Sequence, residues 1–253
     1  MTRLALLFAG ALAAQGALAQ EGRWTLGTGL HYSEGDYGTS TSTTILSLPL
    51  TARYDVDRWS LRASIPYLEI SGASAVVPGV GAARGGRGTA SRTASGLGDL
   101  VASATYAAYH DRGAQLGLDV TGKVKVATAD EDEGLGTGEH DFALLADAFK
   151  QVDRVTWFGG VGFHMLGSSP AIPLDDVWSW NIGGSYRLDA RDSAGLVYDA
   201  RERVSAGAGP ISELTAFWSR QLDRRWKAQA YVLKGFADGS PDWGAGLSAA
   251  YAF

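Results

Sequence analysis

Residues 242–253 read Asp242-Trp-Gly-Ala-Gly-Leu-Ser-Ala-Ala-Tyr-Ala-Phe253. Counting back by twos puts Phe253, Tyr251, Ala249, Leu247, Ala245 and Trp243 on one side, and Ala252, Ala250, Ser248, Gly246 and Gly244 on the other. Successive side chains of a strand point to opposite faces. One face is therefore aliphatic with aromatics at both ends, and the other is small and weakly polar. This is the pattern of a strand that crosses a bilayer in a closed barrel, with an apolar band toward lipid and aromatic residues at the two interfaces.

The same alternation recurs upstream. Trp24, Leu26, Thr28, Leu30 and Tyr32 oppose Thr25, Gly27, Gly29 and His31; Trp59, Leu61, Ala63, Ile65 and Tyr67 oppose Ser60, Arg62, Ser64 and Pro66. Leu116, Leu118, Val120, Val124 and Val126 oppose Gln115, Asp119, Thr121, Lys123 and Lys125; Trp178, Trp180, Ile182, Tyr186 and Leu188 oppose Ser179, Asn181, Ser185 and Arg187. An Arg or Lys at mid-depth on the lipid face would cost roughly 2–4 kcal/mol, and charges mostly avoid that phase. Arg220 and Lys234 fall on it near strand ends, which calls for snorkelling or a bulge that flips the phase. A secreted β-sandwich also has short alternating strands. It has no need of aromatics at both ends of each apolar face, and the barrel is the better reading.

Five short turns, 55–58, 110–113, 151–154, 189–192 and 221–225, each pair Asp with Arg. Asp closes tight turns through its own backbone contacts. Between them lie longer polar stretches at 34–42, 71–95, 130–137, 168–174, 204–209 and 238–241. Short turns on one side and long loops on the other are the asymmetry of an outer-membrane barrel. Eleven connections predict an all-β fold: a transmembrane antiparallel barrel of about twelve strands with short periplasmic turns, longer extracellular loops and both ends on the periplasmic side.

The first nineteen residues read as a leader. Arg3 is followed by the apolar run from Leu4 to Leu12, and Ala17-Leu18-Ala19 is a small-residue cleavage site before Gln20. Residues 1–19 are therefore expected to be a removed signal peptide, with the barrel over 20–253 and no separate plug or soluble domain ahead of Trp24. The chain has 253 residues, 34 glycines and no cysteine, which excludes a disulfide scaffold or a thiolate metal site. Past the leader no run approaches the roughly 20 apolar residues of a membrane helix. Net charge is −5, and no basic patch points to nucleic acid.

The inward phase collects ionic groups: Arg53, Arg62, Asp99, Asp119, Lys123, Lys125, Asp141, Asp147, Arg187, Asp199, Arg201, Arg203 and Glu213. These are the candidate lumen-lining and solute-contacting residues. One reading is a packed interior in which opposite charges pair across the barrel, since a buried unpaired ion is costly. The other is a channel for a small-molecule solute. Twelve strands lie between small filled barrels and the open porins of 16–18 strands, so a narrow or partly blocked pore is expected.

Within residues 71–95, the apolar piece Ala75-Val-Val-Pro-Gly-Val80 precedes Arg84, Arg87 and Arg92 among glycines. Its glycine content predicts a flexible outer loop. The alternative is that the apolar part folds inward as a constriction. Asp130-Glu-Asp-Glu133 reads as a solvated acidic tip rather than a calcium loop, because it lacks a ligand template. A His two residues from a Ser, as in His31-Tyr32-Ser33, is a pattern of barrel lipid hydrolases. No third residue orients the histidine, and both share the inward phase, away from lipid. His140 and His164 are unlinked and weak as metal ligands. No catalytic residue, metal or cofactor is assigned.

Two resemblances add to this reading. A chain whose last strand stops on Phe253 resembles the C-terminal signal of bacterial outer-membrane proteins, which implies delivery by the barrel-assembly machinery into an outer membrane of lipids and lipopolysaccharide. Gly96-Leu-Gly-Asp-Leu100, then Lys123-Val-Lys-Val-Ala-Thr128, then Gly134-Leu-Gly-Thr-Gly138 resemble the outer-membrane transporter-like family named for the meta-cleavage pathway of phenol degradation. That family shows a GxGD strand start, then K-x-PTG, then GTG. Leu48-Pro49 and Ile65-Pro66-Tyr67 are similar to its proline-containing early strands. Ala127 and Ala129 replace the Pro and Gly of PTG, and the acidic run is inserted. The resemblance implies an outer-membrane barrel importing small hydrophobic or aromatic compounds, and supplies no catalytic residues.

Overall fold

The computed structural model describes residues 22–82 and 91–253. The leader assigned to residues 1–19 lies outside the described residues, as do Arg84 and Arg87. The strands are β1 (Arg23–Gly35), β2 (Thr43–Val56), β3 (Trp59–Ala73), β4 (Val76–Val77), β5 (Gly81–Ala82), β6 (Ser91–Leu97), β7 (Leu100–Asp111) and β8 (Leu116–Val126). They continue as β9 (Asp141–Val152), β10 (Val155–Met165), β11 (Val177–Arg187), β12 (Asp192–Arg201), β13 (Ile211–Gln221), β14 (Trp226–Gly235) and β15 (Trp243–Ala252).

Each wall strand pairs antiparallel with its neighbours, and β15 pairs with β1 from Ala252 opposite Thr25 to Trp243 opposite Glu34. That last ladder closes the sheet. β6 and β7 are two pieces of one wall strand, both paired to β3, broken at Gly98 and Asp99. The barrel therefore has twelve strands, with β4–β5 a separate hairpin. Closure leaves the wall without a free edge running its length, which matters in lipid because no water is there to bond an orphan amide.

The outward phase is as the alternation predicts. Trp24, Leu30, Leu50, Trp59, Leu61, Leu144, Ile182, Val232 and Leu247 stand exposed on the outer surface. Aromatic pairs ring both edges of this apolar surface. Trp24–Tyr54, Trp59–Tyr106 and Trp226–Tyr251 lie at the turn end, with centroids 4.8, 4.9 and 5.0 Å apart. Tyr32–Trp243, Phe163–Trp178 and Trp180–Tyr198 lie at the loop end. Arg58 and Arg225 lie over the rings of Tyr106 and Tyr251, at 5.6 and 5.9 Å. Their guanidinium groups reach past the apolar band at the turn end.

Arg220 and Lys234 do face outward. The β13–β14 register runs unbroken from Glu213 to Gln221, so no bulge flips them. Arg220 sits at the turn end and bonds Asp192 (3.4 Å) on the adjacent strand, and Lys234 sits at the loop end. Glu69 also faces outward in the loop half, a charge the alternation argument passes over. The register shift in the wall ladders lies between Ala107 and Tyr109, next to a turn.

The short connections have the chemistry expected of them. Val56-Asp-Arg-Trp59 and Val152-Asp-Arg-Val155 are two-residue hairpins, each with its Asp at φ 51° and 54°. Asp tolerates this left-handed conformation better than most residues. Asp189 Oδ1 accepts the N–H groups of Arg191 and Asp192, both at 2.7 Å, and Asp223 Oδ1 accepts those of Arg225 and Trp226 at 2.7 and 2.8 Å. These bonds favour the ionised form and hold both carboxyls below their ordinary range.

Candidate functional site

The inner wall divides by depth. In the half nearer the turns it is ionic and aromatic. Arg53 on β2 stands opposite Arg62 on β3, and Asp119 on β8 opposite Asp147 on β9. Arg53 lies within electrostatic reach of Arg62, of Lys227 on β14 and of Asp119 on β8, three strands away in each direction for the last two. The tilt of barrel strands brings such distant ladder positions to one depth. Arg53 also bonds Asp55 (2.8 Å), and His110 bonds Asp119 (3.2 Å). The side chains of His110 and Asp119 keep 30% and 27% exposure, so water reaches this level from the turn end.

Aromatic rings line the rest of that level. Phe149 and Phe158 face each other across β9 and β10, and Phe217 faces Tyr231 across β13 and β14. A side chain at Gly117, Gly183, Gly195 or Gly246 would collide with the rings of Phe149, Phe158, Phe217 and Tyr231 respectively. The rings therefore lie along the wall, over glycines of neighbouring strands, rather than across the lumen. Gly160 similarly yields its space to the Asp147 carboxylate, which stands 2.1 Å from where a Cβ would be. Tyr231 donates to or accepts from His31 Nδ1 (3.0 Å), with the two rings stacked. His31 is thus engaged away from Ser33, whose hydroxyl pairs with Tyr37 (3.0 Å).

Higher up, the three family-like segments converge. Asp99, at the break between β6 and β7, accepts the N–H groups of Thr128 (3.1 Å) and Ala129 (3.0 Å) on Oδ1. Lys125 bonds Asp99 (3.4 Å), Asp141 (2.9 Å) and the Thr137 hydroxyl (2.8 Å). Gly136 must lack a side chain because a Cβ there would meet Ala129 and Asp99 at 2.8 and 2.9 Å. One cation shared by two carboxylates and a hydroxyl pins loop 127–140 to the wall where the strand breaks.

The outer mouth holds apolar packing among the described residues. Hairpin β4–β5 turns inward from the end of β3. On one side Val76 packs with Tyr37, Ile45, Leu68, Ile70, Ala94 and Leu135. On the other, Val77 and Val80 pack with Ile172, Leu174, Val177, Val204 and Ala208, from the opposite wall and its loops. Arg201 on β12 donates to the Gly79 carbonyl (2.9 Å), fastening the hairpin tip to the far side. Val76 and Ile70 are 0% exposed. Gly72 makes the inward bend possible: its φ is +147°, and a Cβ would lie 2.4 Å from Thr43 Cα. Burial pushes the Tyr37 phenol up, so it stays a neutral hydrogen-bonding group. Of the two sequence readings of this loop, the described part follows the inward one; the glycine count misleads because Val76, Val77 and Val80 find apolar partners on both walls.

The remaining candidates separate. Lys123, Asp199 and Glu213 take inward ladder positions, with Asp199 directly opposite Glu213. Asp141 accepts the Gly167 N–H (3.0 Å) besides bonding Lys125. Two assignments are corrected. Arg203 lies exposed in loop 202–210, because β12 ends at Arg201. Arg187 ends β11 at the exposed turn rim, where it donates to the Asp153 carbonyl (3.3 Å). Lys227 and the inward phenylalanines were missed, although Lys227, Gln229 and Tyr231 alternate in one phase. In the acidic run, Asp130 caps the Glu133 N–H (3.1 Å), and Arg92 donates to the carbonyls of Glu133 and Gly134. No cluster of three or more metal-ligating side chains occurs among the described residues.

Solved outer-membrane proteins share this fold. An outer-membrane channel from Pseudomonas putida F1 matches with a TM-score of 0.67 at 15% identity, over 96% of this chain and 98% of the channel. KdgM porin matches with a TM-score of 0.58 at 8% identity, over 90% and 99%. The translocator domain of the autotransporter NalP from Neisseria meningitidis matches with 0.53 at 13% identity, over 100% and 94%. No protein-family model matches the sequence, and no curated protein does. At such identities the likeness shows the transmembrane barrel fold alone, and that fold is common to a channel, a porin and an autotransporter domain.

Proposed function

We propose that the protein is a narrow outer-membrane channel for passive uptake of small molecules, hydrophobic or aromatic ones in particular. The observation that carries this reading is the contrast across one wall. Outside is an apolar band edged by aromatic pairs; inside, nearer the turns, is an ionic surface that water reaches. A wall of that kind separates lipid from an aqueous path. The aromatic preference rests on the inward rings of Phe149, Phe158, Phe217 and Tyr231 and on the resemblance to the phenol meta-cleavage family. Removal of residues 1–19 as a leader, recognition of Phe253 by the assembly machinery, and contact of the outer loops with lipopolysaccharide belong to the same proposal.

The packed mouth supports a second reading, a closed barrel whose outer loops do its work. The test is single-channel recording with a removable staple, which is clean because the chain has no cysteine. A Cβ on Gly207 would stand 3.6 Å from the Ala82 carbonyl oxygen, so a short reducible bis-thiol linker between Ala82→Cys and Gly207→Cys can join the hairpin to the far loop. The channel reading expects measurable conductance that drops severalfold on cross-linking and returns with reductant. Absence of current in the wild type, together with no liposome swelling, establishes the closed barrel instead.

A further inference from the structure

We propose that the turn end of the outer wall carries two like-built sites for the phosphodiester of an anionic glycerophospholipid, one made by Arg58 with Tyr106 and one by Arg225 with Tyr251. The two match in sequence and in register. An arginine ends each turn and a tryptophan opens the next strand, as Arg58-Trp59 and Arg225-Trp226. Trp59 stands directly opposite Tyr106, and Trp226 directly opposite Tyr251. Each guanidinium lies over the tyrosine ring, at 5.6 and 5.9 Å, and donates to the tyrosine hydroxyl, at 3.4 and 2.8 Å. Trp24 opposite Tyr54 joins the two into an arc. Six neighbouring strands, β14, β15, β1, β2, β3 and β7, thus present alternating Trp and Tyr at the turn end. At the middle pair Arg23 stands opposite Asp55, and no guanidinium covers the ring. On the other half of the wall the outward rings Trp157, Tyr186 and Trp218 stand opposite Gly184, Val155 and Ala194.

A ring face attracts a guanidinium without neutralising it, and the hydroxyl takes one of its five N–H groups. The acids of these turns are committed elsewhere. Asp223, in electrostatic reach of Arg225, turns its Oδ1 to the N–H groups of Arg225 and Trp226, and Asp55 bonds Arg53. Among the described residues no carboxylate lies within 4 Å of the Arg58 or Arg225 guanidinium. Arg224 adds an exposed cation to the open recess it lines with Asp223, Arg225, Trp226 and Tyr251. Interfacial Trp and Tyr mark where hydrocarbon gives way to headgroups. A guanidinium held over such rings therefore sits at phosphate depth, in the periplasmic leaflet of glycerophospholipids. Its fork matches two phosphate oxygens, and because tyrosine already holds it, little freedom is lost on binding. A zwitterionic headgroup brings an ammonium that the arginines repel; a glycerol headgroup does not.

Native mass spectrometry of the detergent-solubilised protein, titrated with phosphatidylglycerol or phosphatidylethanolamine of the same acyl chains, counts the lipids retained. The wild type is expected to retain two phosphatidylglycerols at about tenfold lower lipid concentration than phosphatidylethanolamine, the scale of one contact to a charged group. Arg58→Gln with Arg225→Gln should erase that preference, and each single variant should remove one retained lipid. Tyr106→Phe with Tyr251→Phe keeps both rings but frees the guanidiniums, and should weaken retention severalfold; it carries the test if the arginine pair does not fold, as judged by heat-modifiable gel mobility. Arg154→Gln with Arg191→Gln removes the same charge from exposed turns of the other half and should change nothing. Inorganic phosphate in large excess should not compete, since it lacks the chains that lie along the apolar band. Equal retention of the two lipids, an equal loss from the Arg154 and Arg191 pair, or displacement by phosphate overturns the inference.

Discussion

At the outer mouth the inward positions hold Ile45, Leu68, Ile70, Val76 and Val77, all below a tenth exposed. In the half nearer the turns, positions of the same phase on the same strands hold Arg53, Thr51, Arg62 and Ser64, and water reaches the level they occupy. β2 and β3 contribute to both regions. Nothing in the backbone changes between them: the ladder from Thr44–Ser71 to Val56–Trp59 is unbroken. What differs is whether a second layer covers the inner face. Over the upper half lies the hairpin, and side chains there must be aliphatic to pack against it. Over the lower half lies solvent, and polar side chains cost nothing to leave wet.

The comparison can be broken most forcefully at its dry end. Ile70→Ala is expected to lower stability by about 2–5 kcal/mol, as for any fully packed isoleucine, read as the urea midpoint of refolding in lipid vesicles. If the mouth were instead a loose loop, the loss would be near that of a surface site. Next is the boundary between the regions. Lys125→Met leaves Asp99 and Asp141 facing each other without their cation, and because Lys125 keeps 15% exposure the expected loss is about 3 kcal/mol, the low end for a broken buried pair. Loosening of loop 127–140 should appear as faster amide exchange at Thr128 and Ala129.

The smallest effect belongs to the turn end. The Asp189 and Asp223 carboxyls are held low by backbone N–H groups, so the unfolded chain binds protons more readily than the folded one. Their stabilisation is whole above the ordinary carboxylate range, near pH 4, and disappears as pH falls through their lower folded values. Asp189→Asn with Asp223→Asn should therefore lower the urea midpoint at neutral pH and leave it almost unmoved at the acid end, so that its acid limb flattens. A variant that weakens the barrel equally at pH 7 and pH 3 contradicts the assignment.

The wall was legible because lipid imposes one rule on every strand. Trp59, Leu61 and Leu247 announce an outer face whatever their partners, and Asp-Arg turns mark where strands reverse. The mouth was not, because its contacts join Val76 to Ile45 and Val77 to Val204, and no local pattern links such segments. The ionic level nearer the turns was half legible. Phase alone finds Arg53, Arg62, Asp119 and Asp147, but their grouping depends on strand tilt, which the alternation does not carry. Arg203 and Arg187 were misplaced because strand ends blur by a residue or two. The motif around Asp99 was read as a strand opening; its work is to hold the Thr128 and Ala129 backbone at a break.

The seam between β1 and β15 joins Thr25 to Ala252, near the two ends of the described barrel. Every other ladder could form as the polypeptide emerges, since its partner is the next segment out. This one must wait for the final ten residues, with an unsatisfied row of amides on Arg23–Gly35 all that time. A shortened product has nothing to zip that row and no stable resting state in lipid. Maturation is accordingly a ring-closing event with a single deciding moment, and removing even one hydrogen-bonded pair from Trp243–Ala252 should depress yield of finished barrels far more than the same loss in any interior ladder.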